Sequence, residues 1–386
     1  MPDKSAIIMY IKRILDIESL LQRKSCFLFG PRQTGKSFLI RHTLRSAPIY
    51  NLLDPDVFLK LSYSPGRLKE ELGPKDRFVV IDEIQKLPAL LDLVHLLIEE
   101  RGIRFLLTGS SARKLRRGGF NLLGGRVIEK HLHPFSFIEL GREFNLSRAL
   151  NNGLLPPIYL SDLPDEDLNA YVGTFLKEEI AAEGLTRNIP AFSRFLEVAA
   201  LCNGQIINYA KIANDAQVAR STVQEYFGIL RDTLIAHELP AWTRSRKRKA
   251  IGTAKIYLFD PGITRILQGR SQVNAGSPEY GHLFETFIFH ELKTYCDYKG
   301  IDELFYWRSQ SGFEVDFILA GKTAIEVKAS KTIGQHDLKG LKALSDERLL
   351  KNYLLVCTEK TTRALEGITI LHWETFLNNL WNGKYI

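Results

Sequence analysis

Gly30-Pro31-Arg32-Gln33-Thr34-Gly35-Lys36-Ser37 follows the apolar run Cys26-Phe27-Leu28-Phe29 and opens an amphipathic run from Phe38 to Leu44. The order is strand, glycine-rich loop, helix, with G-x-x-x-x-G-K-S spacing. Each residue type has a task there. The glycines let the backbone fold tightly around an anion, and successive N–H groups at the helix N-terminus point at the α- and β-phosphates. Lys36 is placed to reach the β/γ oxygens, and the Ser37 hydroxyl to ligate Mg²⁺. The stretch from Gly30 to Phe38 therefore predicts a site for a nucleoside triphosphate, ATP, together with Mg²⁺.

Working outward, Phe78-Val79-Val80-Ile81-Asp82-Glu83 is a continuous apolar run closed by two carboxylates. Such a run suits a parallel strand buried on both faces, with ligands at its C-terminal end. Asp82 there would hold Mg²⁺, and Glu83 would orient or deprotonate the attacking water. Arg104-Phe105-Leu106-Leu107-Thr108 is a further strand, opening into Gly109-Ser110-Ser111, and either Thr108 or Ser110 would sense the γ-phosphate. Arg126, just before the strand Val127 to Leu132, stands where ATPases of this architecture expose an arginine finger to a neighbouring subunit. Arg113, Arg116 and Arg117 are rivals for that role. A homo-oligomer is the expected assembly.

These segments together resemble one prokaryotic AAA-plus ATPase family. The resemblance is carried by Gly30 to Ser37, Ile81-Asp82-Glu83-Ile84-Gln85, Leu107 to Ser111, Gly125-Arg126 and Pro134-Phe135-Ser136-Phe137-Ile138-Glu139, and runs from about residue 10 to the C-terminus. The family usually has threonine at the position of Ser37, which offers the same hydroxyl. The resemblance implies a helical lid over the nucleotide between Phe135 and about Thr186. It also implies a C-terminal domain of unknown function similar to restriction endonucleases.

The middle of the chain has helix-turn-helix spacing, from Asn208 to Ala216 and from Arg220 to Leu230. A DNA-reading helix would offer Arg220, Ser221, Thr222 and Gln224 to a groove. Two positions depart from the usual pattern: Gln217 replaces the turn glycine, and Ala219 the capping serine. Beyond lie two wing strands, Leu234 to Trp242 and Lys255 to Phe259. Between them Arg244-Ser245-Arg246-Lys247-Arg248-Lys249 forms a basic run. Arg246, Lys247, Arg248 and Lys249 are expected to touch DNA phosphates there, or else the unit packs against protein.

Farther on, a helix from about Gly281 to Asp297 carries Glu285, and two strands carry Asp316 and Glu326-Val327-Lys328. Glu326 and Lys328, two residues apart on a strand, share a face. Glu285, Asp316 and Glu326 as metal ligands with Lys328 beside them make the PD-(D/E)XK arrangement. It would either cut DNA with Mg²⁺ or hold DNA or a protein partner without cutting.

The 386 residues thus divide into an α/β AAA-plus ATPase with a helical lid (1–187), a winged helix-turn-helix (188–250) and a PD-(D/E)XK nuclease-like α/β domain (251–386). A net charge of +8 permits a nucleic-acid partner. The four scattered cysteines argue against a disulfide framework or zinc site and point to a reducing, cytoplasmic setting. No apolar run approaches the roughly 18 residues of a membrane span.

Overall fold

The computed structural model describes residues 10–110, 113, 115, 123–176 and 188–386. Five parallel strands form the first sheet: β1 (Ser25–Phe29), β2 (Ile49–Asn51), β3 (Phe78–Asp82), β4 (Arg104–Gly109) and β5 (Val127–His131). Their order is β2-β3-β4-β1-β5. β1, β3 and β4 are apolar along their length because both faces are covered, one by the Phe29, Ile81 and Leu107 cluster, the other by that of Leu28, Val80 and Leu106. The phosphate-loop strand β1 lies beside β4, and β4 beside β3, so Gly30, Thr108 and Asp82 reach one edge of the sheet.

An amphipathic helix is expected over residues 10 to 21, yet helix α1 covers only Ile17–Arg23. Asp16 caps it by accepting from Ser19 N, and Arg13, just upstream, is drawn to the phosphate loop instead. Among the described residues the expected lid does not stand as a separate unit. Its first helices pack into the C-terminal core, where Phe144 stacks on Phe287 and Phe137 meets Trp373 edge-on. The following stretch, with Leu155, Ile158, Leu168 and Tyr171, joins the core of the middle unit. Large apolar side chains on both segments are buried in those two cores.

The middle unit comprises the helices Ile189–Leu201, Tyr209–Ala216 and Arg220–Asp232 and the antiparallel strands β6 (Ala236–Leu239) and β7 (Lys255–Leu258). Because β7 pairs with β6, the unit runs past the boundary at 250 drawn from the sequence. Gln217 takes the left-handed conformation, φ +55°, that a turn glycine would adopt freely. The long β6–β7 connection is no projecting tip. It lies along the next sheet, with Trp242 N donating to Tyr306 O at 2.7 Å and Ile251 N to Arg308 O at 2.8 Å.

That sheet holds β8 (Leu304–Arg308), β9 (Glu314–Leu319), β10 (Thr323–Lys328), β11 (Asn352–Cys357), β12 (Arg363–Leu365) and β13 (Ile368–His372), in the order β12-β13-β11-β10-β9-β8. The helix Pro278–Lys299 covers one face, burying Phe284, Phe287 and Ile288. Among the described residues no helix is long and apolar enough to cross a membrane.

Candidate functional site

The loop after β1 is built by close backbone approach. A Cβ on Gly30 would stand 2.4 Å from Leu132 O, and Gly35 has φ +93°, so both positions require glycine. Lys36 and Ser37 open helix α2 (Lys36–Thr43), placing its N-terminal N–H groups at the loop. Lys36 is buried, and its ammonium donates to Gly30 O at 2.6 Å and Pro31 O at 3.1 Å. Thr34 Oγ1 donates to Pro31 O at 2.9 Å and stiffens the same turn.

Asp82, at the end of β3, is the centre of a chain of oxygens. Ser37 Oγ donates to its Oδ2 at 2.9 Å, and Thr108 Oγ1 donates to its Oδ1. Of the two sensor candidates, Thr108 is thus the one bonded to the acid. Ser110 lies within 3.5 Å of Gln85 Nε2, which also donates to Glu83 Oε2 at 2.5 Å. Glu83 itself has φ +62°, a strained conformation for a residue with a side chain. A hydroxyl and a carboxylate side by side are hard oxygen donors, a set that fits Mg²⁺ completing its shell with phosphate and water.

Sequence reasoning missed the residue that ties this site together. Arg13 is buried and donates to Thr34 O at 2.7 Å, His133 O at 2.6 Å and Glu139 Oε1 at 3.0 Å. Glu139 is held in turn by Ser136 N and Ile14 N. The Ser136-x-x-Glu139 spacing of a capping box was the available signal; its partner, 126 positions away, left none. Next to Arg13 a cavity of 480 Å³ opens onto Gln33 and Gly35, walled by Tyr10, Ile11, Phe38, Phe135, Pro156 and Leu160. Its apolar walls and size suit a flat aromatic base.

Arg126 is exposed and pairs with Glu99 of its own chain at 2.5 Å. Arg113 is buried against Asp232 at the end of the helix Arg220–Asp232, which commits it within the chain. Arg116 and Arg117 lie outside the described residues. Arg220, Ser221 and Gln224 are exposed at that helix's start, with Thr222 half-buried. The basic run departs from the free wing expected. The main-chain N–H groups of Arg246, Lys247 and Arg248 all donate to the Glu347 carboxylate at 2.9 to 3.1 Å. Arg248 also bonds Asp346. The side chains of Arg246, Lys247 and Lys249 remain exposed.

Glu285, Asp316, Glu326 and Lys328 do come together, as the β9–β10 hairpin requires, but Lys255 of β7 stands among them. Burial disfavours its charge, and Glu285, Asp316 and Glu314 outweigh that and hold the ammonium's pKa above the ordinary lysine value. Burial, reinforced by Asp316, raises the Glu285 carboxyl to about 7. Among the described residues no group of three or more His, Cys, Asp or Glu side chains is arranged to hold a metal ion. The Lys255 ammonium thus stands among the carboxylates to which the PD-(D/E)XK reading gives a divalent cation.

Residues 22–141 match a family model described as an AAA domain, which supports an AAA-type fold for this part of the chain. Residues 143–274 and 280–376 match two further models, each described as a domain of unknown function, DUF8612 and DUF4143. An uncharacterized protein of Mycobacterium tuberculosis is 27% identical over 317 residues, covering 79% of this chain and 70% of its own. One of Methanocaldococcus jannaschii is 23% identical over 403 residues, covering 93% and 87%. Among solved structures, the replication initiator DnaA bound to AMPPCP and single-stranded DNA overlaps 56% of this chain and 86% of its own at 13% identity and a TM-score of 0.29. A STAND signal-transduction ATPase from Pyrococcus horikoshii overlaps 76% and 48% at 12% identity and 0.24. Overlaps so slight assign no function.

Proposed function

We propose that the chain binds and hydrolyses ATP with Mg²⁺ at the β1–α2 loop, and couples the nucleotide state to binding of DNA. The observation that carries the first part is the Ser37–Asp82–Thr108 chain of oxygens beside a buried Lys36. In the working site Lys36 exchanges its loop carbonyls for β/γ-phosphate oxygens, while the N–H groups opening α2 hold the phosphates. Glu83, tethered by Gln85, orients the attacking water and takes its proton. Ser37 and Asp82 would hold Mg²⁺, which would supply charge neutralisation at the phosphates. The cavity walled by Tyr10, Phe38 and Phe135 takes the base. In an oligomer Arg126, freed from Glu99, serves a neighbouring site as its finger.

DNA is assigned to the middle unit, read as a winged helix. The support is the exposed start of the helix Arg220–Asp232 together with the bases that follow β6. A second reading, a nucleotide-controlled binding protein whose nuclease-like domain does not cut, is favoured for the C-terminal domain by the lysine inside its acidic cluster. ATP turnover with Mg²⁺ tests the core of the proposal. Lys36→Ala is expected to abolish it, and Glu83→Gln to retain ATP while slowing turnover by about 10² to 10⁴. Turnover by Lys36→Ala at the wild-type rate contradicts it.

A further inference from the structure

On a strand, residues two apart share a face, and β7 uses that rule to aim two donors at the C-terminal sheet. Lys255 Nζ lies 2.6 Å from Glu314 Oε1 and 3.9 Å from both Glu285 Oε1 and Asp316 Oδ1. Its side chain is only 3% exposed, and the Tyr306 ring lies 5.4 Å from the ammonium. Tyr257, two residues on, donates its hydroxyl to Glu285 Oε1 at 2.5 Å. Two further carboxylate oxygens are committed elsewhere. Asp316 Oδ2 accepts from Val327 N at 2.8 Å, and Glu326 Oε1 from Lys328 at 2.6 Å.

A divalent cation of this kind asks for about six oxygen ligands at roughly 2 Å, several of them free to turn toward it. Here most of the charge is already met. Glu285, Glu314, Asp316 and Glu326 face Lys255, Lys328 and Arg308, the last 3.2 Å from Glu314. A dication added to this cluster would face an ammonium within 4 Å of its ligands. Glu326 Oε2 is buried with no hydrogen-bond partner.

We propose that Lys255 is a built-in cation that takes the place of a metal ion in the acidic cluster, so that the C-terminal domain is a metal-free, non-cutting module fastened to the β6–β7 hairpin. The proposal rests on the non-cutting reading of this domain and is independent of the ATP site. Removing the ammonium should therefore create a metal site. Lys255→Met keeps the length of the buried chain and leaves four carboxylates facing two cations.

The test titrates Mn²⁺ into the full-length chain without nucleotide, with electron paramagnetic resonance counting bound ion, and assays plasmid nicking in parallel. Four forms are compared: wild type, Asp316→Asn, Lys255→Met and the Lys255→Met/Asp316→Asn pair. The expected result is no Asp316-dependent Mn²⁺ binding in wild type, and one ion bound by Lys255→Met at least about tenfold more tightly. That ion should raise the variant's melting temperature and be lost in the double variant. A folded Lys255→Met that gains no ion overturns the proposal. Should that variant fail to fold, the wild-type and Asp316→Asn titrations decide. Asp316-dependent Mn²⁺ binding by wild type without nicking overturns the role given to Lys255 but leaves the non-cutting reading. Asp316-dependent nicking overturns both.

Discussion

Arg13 shows what one buried guanidinium does for a loop made of glycines. It fastens the segment before α1, the phosphate loop at Thr34 and the Pro134–Glu139 turn to a single point. Glu139 is fully buried, so Arg13→Ala strands a carboxylate without its partner, at a cost of about 3 to 5 kcal/mol. The stability loss is expected in denaturant titrations, with ATP affinity reduced by about tenfold or more. Arg13→Lys, unable to serve three acceptors in one plane, should recover part of the first and little of the second. A variant of wild-type stability and affinity would remove Arg13 from the site. Local chemistry at this scale was legible: Lys36, Ser37, Asp82 and Thr108 meet as their spacing along strand, loop and helix requires. Arg13 with Glu139 and Lys255 with Glu314 were not, because a pair whose members lie far apart in sequence leaves no periodic trace in either stretch.

At the scale of elements, β1, β3, β4, β9, β10 and β11 lie close to where apolar runs place them, because burial on both faces leaves few polar positions to mislead. The basic run between β6 and β7 illustrates the opposite. Its composition reads as a solvated wing, whereas Glu347 and the β8 edge supply partners for its main chain. This division predicts how the proposed DNA binding responds to substitution. Replacing Arg220 and Gln224 by alanine should weaken binding and relax sequence preference. Replacing the exposed Arg246 and Lys249 should leave preference alone and flatten the salt dependence by about one unit per lost phosphate contact. An unchanged slope in the second variant removes the basic run from the interface.

Across the whole molecule, the end of β5 joins the phosphate loop to the C-terminal helix. Leu132 N donates to Phe29 O, while His131 and His133 on either side face Asp297 of the helix Pro278–Lys299. Burial works against a charge on His131, but hydrogen bonds to Asp297 and Glu129 raise it to about 9. Its folded-state value lies above the ordinary 6.5, so its contribution is fully present below that and lost as pH rises through about 9. Glu291, raised to about 8 chiefly by burial, acts with the same sign: stability is lost as pH rises from its ordinary 4.5 through that value. Denaturation midpoints should therefore fall between pH 6.5 and 9, by at most about 1.4 kcal/mol per pH unit for each proton. His131→Gln should shallow the fall; parallel profiles would show that His131 takes no part.

The central claim is that main-chain N–H groups, the Lys36 ammonium and the Ser37–Asp82 pair hold a triphosphate. Calorimetric titration of ATP and Mg²⁺ into wild type and Lys36→Ala addresses it directly. One ATP per chain for wild type and none for Lys36→Ala is the predicted result. Equal binding by both, or no binding by wild type, contradicts the account.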